Sequence, residues 1–115
     1  TGTIRRHPDL AHGQRGDQIS MLIRLQAKLF DQALALVKPG GRLVYCTCSL
    51  LPDEGEVQVE EALARHKSLS ADALPELPGI DPAWVPEEGG LRLLPNYWAK
   101  QGGMDGFYMA MLRKA

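Results

Sequence analysis

PGGRLVYCTCSLLPDEGE, Pro39 to Glu56, carries the strongest structural signal in the chain. A Pro-Gly-Gly breaker precedes a short β-prone run, Arg42 to Thr47, and a polar turn follows it. Such a run after a helix reads as a buried strand of a βαβ unit. Pro52 and the acids Asp53, Glu54 and Glu56 then open a second helix that reaches about Arg65, with negative charge at the end where the helix dipole favours it. Val59, Ala62, Leu63 and His66 form its inner stripe, and His66 reads as a partly buried helix-end residue. Glu60 and Glu61 belong to its solvated face.

Upstream, Ile19, Leu22, Ile23, Phe30, Ala33, Leu34 and Val37 recur at mostly three- and four-residue steps. That spacing predicts an amphipathic helix over 17–37, with Asp17 as its N-cap and Lys38 to Gly41 as its stop. Downstream, Ser68 to Gly90 holds Pro75, Pro78, Pro82 and Pro86 and shows no period, so it reads as a Pro-rich connecting loop. Leu91 to Leu94 and Phe107 to Leu112 read as two further strands, the last apolar on both faces and so interior. In the Gly- and aromatic-rich segment between them, Tyr97 and Trp98 either anchor the loop to the core or stack on nucleic-acid bases. Met104-Asp105-Gly106 reads as a tight turn, with Gly106 in a conformation other residues avoid. The order is that of an α/β fold ending in an antiparallel strand pair, and three strands make a thin sheet.

The chain has 115 residues, one domain's worth, with 44% hydrophobic and 23% charged residues, so it is an ordinary globular sequence and not a disordered tail. A net charge of -1 excludes a strongly basic nucleic-acid coat while leaving room for local basic patches. No apolar run approaches the roughly 20 residues that span a bilayer, and no signal peptide is visible. The sequence opens with Thr1 inside a dense polar motif, which reads as a piece of something longer.

Two segments carry candidate chemistry on residue type alone. Cys46 and Cys48 on one strand would have Cα atoms roughly 6.6 Å apart, the far edge of disulfide reach. His7, His12 and His66 lack ligand spacing, so no metal site is expected. A reducing, cytoplasmic setting and thiol reactivity fit better than a disulfide scaffold. Cys48 falls where the strand ends, the place at which open α/β sheets bind ligands, and there it is either a reactive thiol or one of two buried cysteines. In Gly2 to Asp9, Arg5 and Arg6 either clamp phosphates, with His7 stacking on a base or moving a proton, or form a solvated turn.

In combination, TGTIRRHPD, PGGRLVYCTCSLLPDEGE and LRLLPN followed by GGMDGFYMAMLRK resemble the Sun/Fmu-type RNA cytosine-5 methyltransferases over essentially all of the chain. The middle motif, with its Thr-Cys-Ser triplet near an acidic pair, is the specific one. The resemblance implies the C-terminal half of a Rossmann-like S-adenosylmethionine-dependent methyltransferase fold, with residues 1–115 forming part of one catalytic domain and 68–90 a loop within it. It makes Cys48 the nucleophile, gives Cys46 a packing role, and assigns RNA contact to Arg5, Arg6 and His7. Asp9, Thr47, Ser49 and Asp105 support the site. Gly55 and Tyr108 stand where the family commonly has Asn and Phe. The cofactor residues are expected upstream of Thr1, and the partner is RNA, ribosomal or transfer. The piece alone is expected to be inactive, and to self-associate or pair with the rest of its sheet. The competing readings are an RNA-binding module on the Arg5/Arg6/His7 loop and a dithiol module on Cys46 and Cys48.

Overall fold

The computed structural model describes residues 1, 16–72 and 78–115. Along the chain these form α1 (Gly16–Leu36), β1 (Arg42–Thr47), a 3-10 turn (Pro52–Glu54), α2 (Glu56–Arg65) and β2 (Leu69–Ala71). A second 3-10 turn (Pro82–Trp84), β3 (Leu91–Leu93), a third (Ala99–Gln101) and β4 (Phe107–Lys114) complete the order. Helix α1 starts one residue ahead of the expected cap, so Asp17 lies in its first turn. Its C-terminus is capped from a distance: Lys114 Nζ donates to the carbonyls of Leu34 (3.1 Å) and Val37 (2.8 Å). Gly40 then takes a left-handed φ of +82° and turns the chain into β1.

Every strand pairs antiparallel with β4. β1 runs along one edge of it, from Arg42↔Arg113 to Thr47↔Tyr108. The other edge is shared: β2 occupies Leu112 to Lys114 and β3 occupies Phe107 to Met109. The antiparallel ending read from the sequence is therefore present, but among the described residues the sheet has four strands. β2 lies inside the segment expected to be pure loop, since three residues are too few to show a period.

Phe30 and Leu34 from α1 and Val59 and Ala62 from α2 meet Leu69, Tyr108, Ala110 and Leu112 in one buried cluster. Both helices contribute to this cluster, so that face of the sheet is the closed one. This corrects the expectation that Arg42 to Thr47 is a buried strand: its residues alternate, Leu43 and Tyr45 facing the core while Val44 is 57% exposed. β4 behaves likewise, with Tyr108, Ala110 and Leu112 buried and Phe107, Met109 and Met111 only half so. It is interior because strands flank it on both edges.

In the 78–106 region, Trp84 stacks on Tyr97 at 4.4 Å, and the Trp98 indole donates to the Gly79 carbonyl at 3.0 Å. Tyr97 and Trp98 thus hold other residues of this segment, Trp84 and Gly79, and not the buried core, and Trp98 stays 44% exposed. Gly106 does not take positive φ; Gly102 and Gly103 do, so the reversal comes earlier than expected.

His66 caps α2 half-buried, with Nε2 2.7 Å from Asp31 Oδ1, and Arg65 Nη2 reaches the same oxygen at 2.9 Å. The His66 hydrogen bond, aided by Arg65, holds the Asp31 carboxyl below its usual range. A depressed carboxyl contributes stability above its unfolded pKa of about 3.9 and loses it as pH falls through the folded value. The Asp31→Asn penalty, less than about 1 kcal/mol for so exposed a pair, is therefore expected near neutral pH and gone in strong acid. Urea midpoints of both forms across that range check it.

Candidate active site

Cys48 stands one residue past the end of β1, exposed and unpaired by any disulfide. Cys46 is also a free exposed thiol, so neither the packing role nor a buried cysteine pair holds. It sits in the β1 ladder opposite Met109. The antiparallel register, Thr47↔Tyr108, brings the start of β4 to the same end of the sheet as Cys48. Half-buried Asp105 lies just before that start, and Arg92, opposite Tyr108 on β3, completes the row.

The turn after Cys48 is held by hydroxyls. Ser49 N–H donates to Thr47 Oγ1 (3.3 Å), Leu50 N–H to Thr1 Oγ1 (2.6 Å) and Leu51 N–H to Ser49 Oγ (3.0 Å). Ser49 is 4% exposed, and its hydroxyl donates to Glu54 Oε1 at 2.7 Å. The second Glu54 oxygen accepts from Gln26 Nε2 at 2.6 Å, and the Glu54 carbonyl accepts from the Tyr45 hydroxyl at 2.6 Å. Burial, with the Glu54 charge adding to it, pushes the Tyr45 hydroxyl up to about 12, so it stays a donor. From the other side Arg92 donates to the Ser49 carbonyl and to both oxygens of Glu56.

Thr47 and Ser49 thus flank Cys48 and Asp105 lies just ahead of β4 at the same end of the sheet, whereas Arg5, Arg6, His7 and Asp9 lie outside the described residues. Sequence reading missed Thr1, Gln26 and Arg92. The signal for Arg92 was a cation in the middle of the apolar run LRLL, which needs a buried anion nearby; the acids of DEGE supply it.

Among the described residues, positive-φ glycines stand at 40, 79, 89, 102 and 103, and none follows a strand to open a helix. The amides after β1 are already committed to hydroxyls. These residues do not form a glycine-rich cofactor cradle. Among them, no group of three or more His, Cys, Asp or Glu is gathered as metal ligands would be, and no helix is long and apolar enough to cross a membrane.

This α/β arrangement, a sheet with an antiparallel ending and helices on one face, is shared with a solved methyltransferase homologue. The methyltransferase homolog protein from Pyrococcus horikoshii superposes with a TM-score of 0.72 at 32% identity, over 89% of this chain and 34% of that one. PH0851 superposes with a TM-score of 0.80 at 36% identity, over 98% of this chain and 24% of that one. The chain belongs to the 16S rRNA methyltransferase RsmB/F family, whose model matches residues 1–113. Ribosomal RNA small subunit methyltransferase B of Vibrio cholerae is 43% identical over 114 residues, which are 99% of this chain and 23% of that protein. The chain spans about a quarter of the length of the curated relatives it matches.

Ser49→Ala removes the acceptor for Leu51 N–H and the donor to Glu54. An expected loss of about 1–3 kcal/mol follows from leaving buried polar groups unpaired, read as a shifted denaturant midpoint with unchanged slope.

Proposed function

We propose that the chain is the C-terminal portion of one catalytic domain, residues 1–115, of an RNA (cytosine-5) methyltransferase acting on ribosomal RNA in the cytoplasm. The observation that carries this reading is an exposed cysteine on a turn gripped by buried partners, at a strand end, in a chain of this family. Carbon 5 of cytosine is a poor nucleophile. The Cys48 thiolate adds to carbon 6, forming the S–C6 bond and moving the C5=C6 electrons toward carbon 5, which becomes enamine-like. S-adenosylmethionine, which residues outside this sequence would hold, would supply the methyl group: carbon 5 takes the methyl carbon as its bond to sulfur breaks, and S-adenosylhomocysteine leaves. Loss of the carbon-5 proton to a base restores the double bond and expels the thiolate. The base must be unpaired or flipped out to admit the sulfur.

Thr47 and Ser49 fix the turn, Asp105 supports the same end of the sheet, and Arg5, Arg6 and His7 contact RNA, with Asp9 holding their loop. The chain alone is proposed to be inactive, because the described residues form no cofactor cradle and the family resemblance gives none of its own residues to the cofactor.

Among the described residues β1 pairs only with β4, and β1 together with Leu29, Phe30 and Ala33 of α1 lines a groove of about 250 Å³. In the longer protein the rest of the sheet joins the other edge of β1; a bare strand edge with apolar surroundings associates with whatever strand it meets. Light scattering of the isolated chain is expected to show concentration-dependent association, and a monomer at every concentration would overturn this.

The chemistry is tested by intact mass spectrometry of the full-length protein on RNA carrying 5-fluorocytosine, with S-adenosylmethionine present. Fluorine cannot leave as a proton does, so the adduct persists. The expected adduct forms with wild type and Cys46→Ala and is absent with Cys48→Ala. Loss with Cys46→Ala instead would assign the other thiol. No adduct with any form would replace the methyltransferase reading by an RNA-binding module.

A further inference from the structure

We propose that Arg92 is a positioning residue for the Cys48 turn, tying the Ser49 carbonyl to Glu56 so that the backbone carrying the thiol holds one geometry. The inference rests on Cys48 being the nucleophile. Arg92 is 7% exposed in a strand whose neighbours are leucines, and three of its nitrogens are engaged. Nη1 holds the carbonyl immediately after Cys48, while Nε, at 3.2 Å and 3.3 Å, and Nη2 hold the Glu56 carboxylate. The guanidinium lies over the Tyr108 ring, 5.1 Å from its centroid.

The backbone packs closely around it. A Cβ on Gly55 would come within 2.6 Å of Arg92 Nη2 and 3.0 Å of Tyr108 Cγ, so a side chain there requires the guanidinium to shift. Tyr108 is itself fixed: it is fully buried, and its hydroxyl donates to Glu88 Oε1 at 2.8 Å. The row Arg92–Tyr108–Thr47 across three strands therefore ends at the residue before Cys48.

A buried ion pair is seldom more stable than apolar packing of the same volume. Stability alone gives no reason for a cation at this point of β3. A planar fork that grips a carbonyl and a carboxylate together does, because it dictates the direction in which the turn leaves the sheet. A lysine reaches one of these partners at a time.

The test uses the full-length enzyme with Arg92→Gln, Arg92→Lys, Cys48→Ala and, as a folding control, the core variant Val59→Ala. Melting temperature, kcat, KM for RNA and the rate of adduct formation on 5-fluorocytosine RNA are measured for each. Arg92→Gln is expected to lower kcat and the adduct rate about tenfold or more, as a small misplacement of a reacting group does. KM is expected to stay within about twofold. Arg92→Lys should recover part of the rate, and Val59→Ala should keep its kcat at a comparable loss of melting temperature. A folded Arg92→Gln with wild-type kcat overturns the proposal, as does a Val59→Ala that loses kcat to the same degree. An adduct that survives in Cys48→Ala overturns the nucleophile assignment beneath it, a result separate from the behaviour of the Arg92 variants.

Discussion

Every strand of the sheet pairs with β4, so the last segment of the sequence organises all that comes before it. Its alternate residues Tyr108, Ala110 and Leu112 form the floor of the core, and its Lys114 closes the carbonyl end of α1. Until β4 is in place, β1, β2 and β3 have no partner among the described residues and no sheet exists. Such long-range pairing makes a slow-forming topology in which the loop-closure cost precedes the reward. The same dependence ties fold to site: Tyr108 packs beneath Arg92 and stands opposite Thr47, so the strand that completes the sheet also sets the end where Cys48 emerges.

Polar groups at that end are costly and are almost all paired. Both oxygens of Glu54 accept hydrogen bonds, Ser49 uses its hydroxyl as donor and acceptor, and three successive amides of the turn are taken by hydroxyls of Thr47, Thr1 and Ser49. Burial and the Glu88 hydrogen bond raise the Tyr108 hydroxyl well above its usual range, which keeps it neutral beside two acids. Networks of this kind are poor sources of net stability but allow few alternative arrangements. Their location around a turn, not in the middle of the core, is what gives them a use. The turn cannot slide without breaking several bonds at once.

How much of this was legible depended on the range of the interactions. β1 was readable to the residue because Gly-Gly and a polar turn bound it locally. α2 was readable because Val59 and Ala62 keep helical spacing, and β3 and β4 were placed within two residues of their observed ends. Long-range effects were not. Three residues of β2 owe their extended form to Leu112–Lys114 some forty positions away, and nothing in Leu-Ser-Ala announces that. The one-sided burial of β1 was hidden because RLVYCT is apolar enough for either case; the packing of both helices on a single face decided it. At the site, the Thr-Cys-Ser triplet was visible in sequence, while its supports were not. Thr1, Gln26 and Arg92 reach it from distances of 49, 28 and 43 residues, counted to Leu50, Glu54 and Ser49.

The two thiols show why position in a sheet matters more than residue type. Both are free, exposed and two residues apart. Cys46 belongs to the β1–β4 ladder, its backbone fixed opposite Met109 and its side chain on the face that also carries Val44. It also lines the groove formed with α1. Cys48 is past the last paired residue, so its approach is not governed by the pleat. Its neighbours on either side are nonetheless pinned, Thr47 by pairing with Tyr108 and Ser49 by Glu54 and Arg92. In the reaction proposed above, a nucleophile would meet carbon 6 of a flat ring from above or below, which requires both open access and a fixed direction. The pinned neighbours of exposed Cys48 suit that requirement.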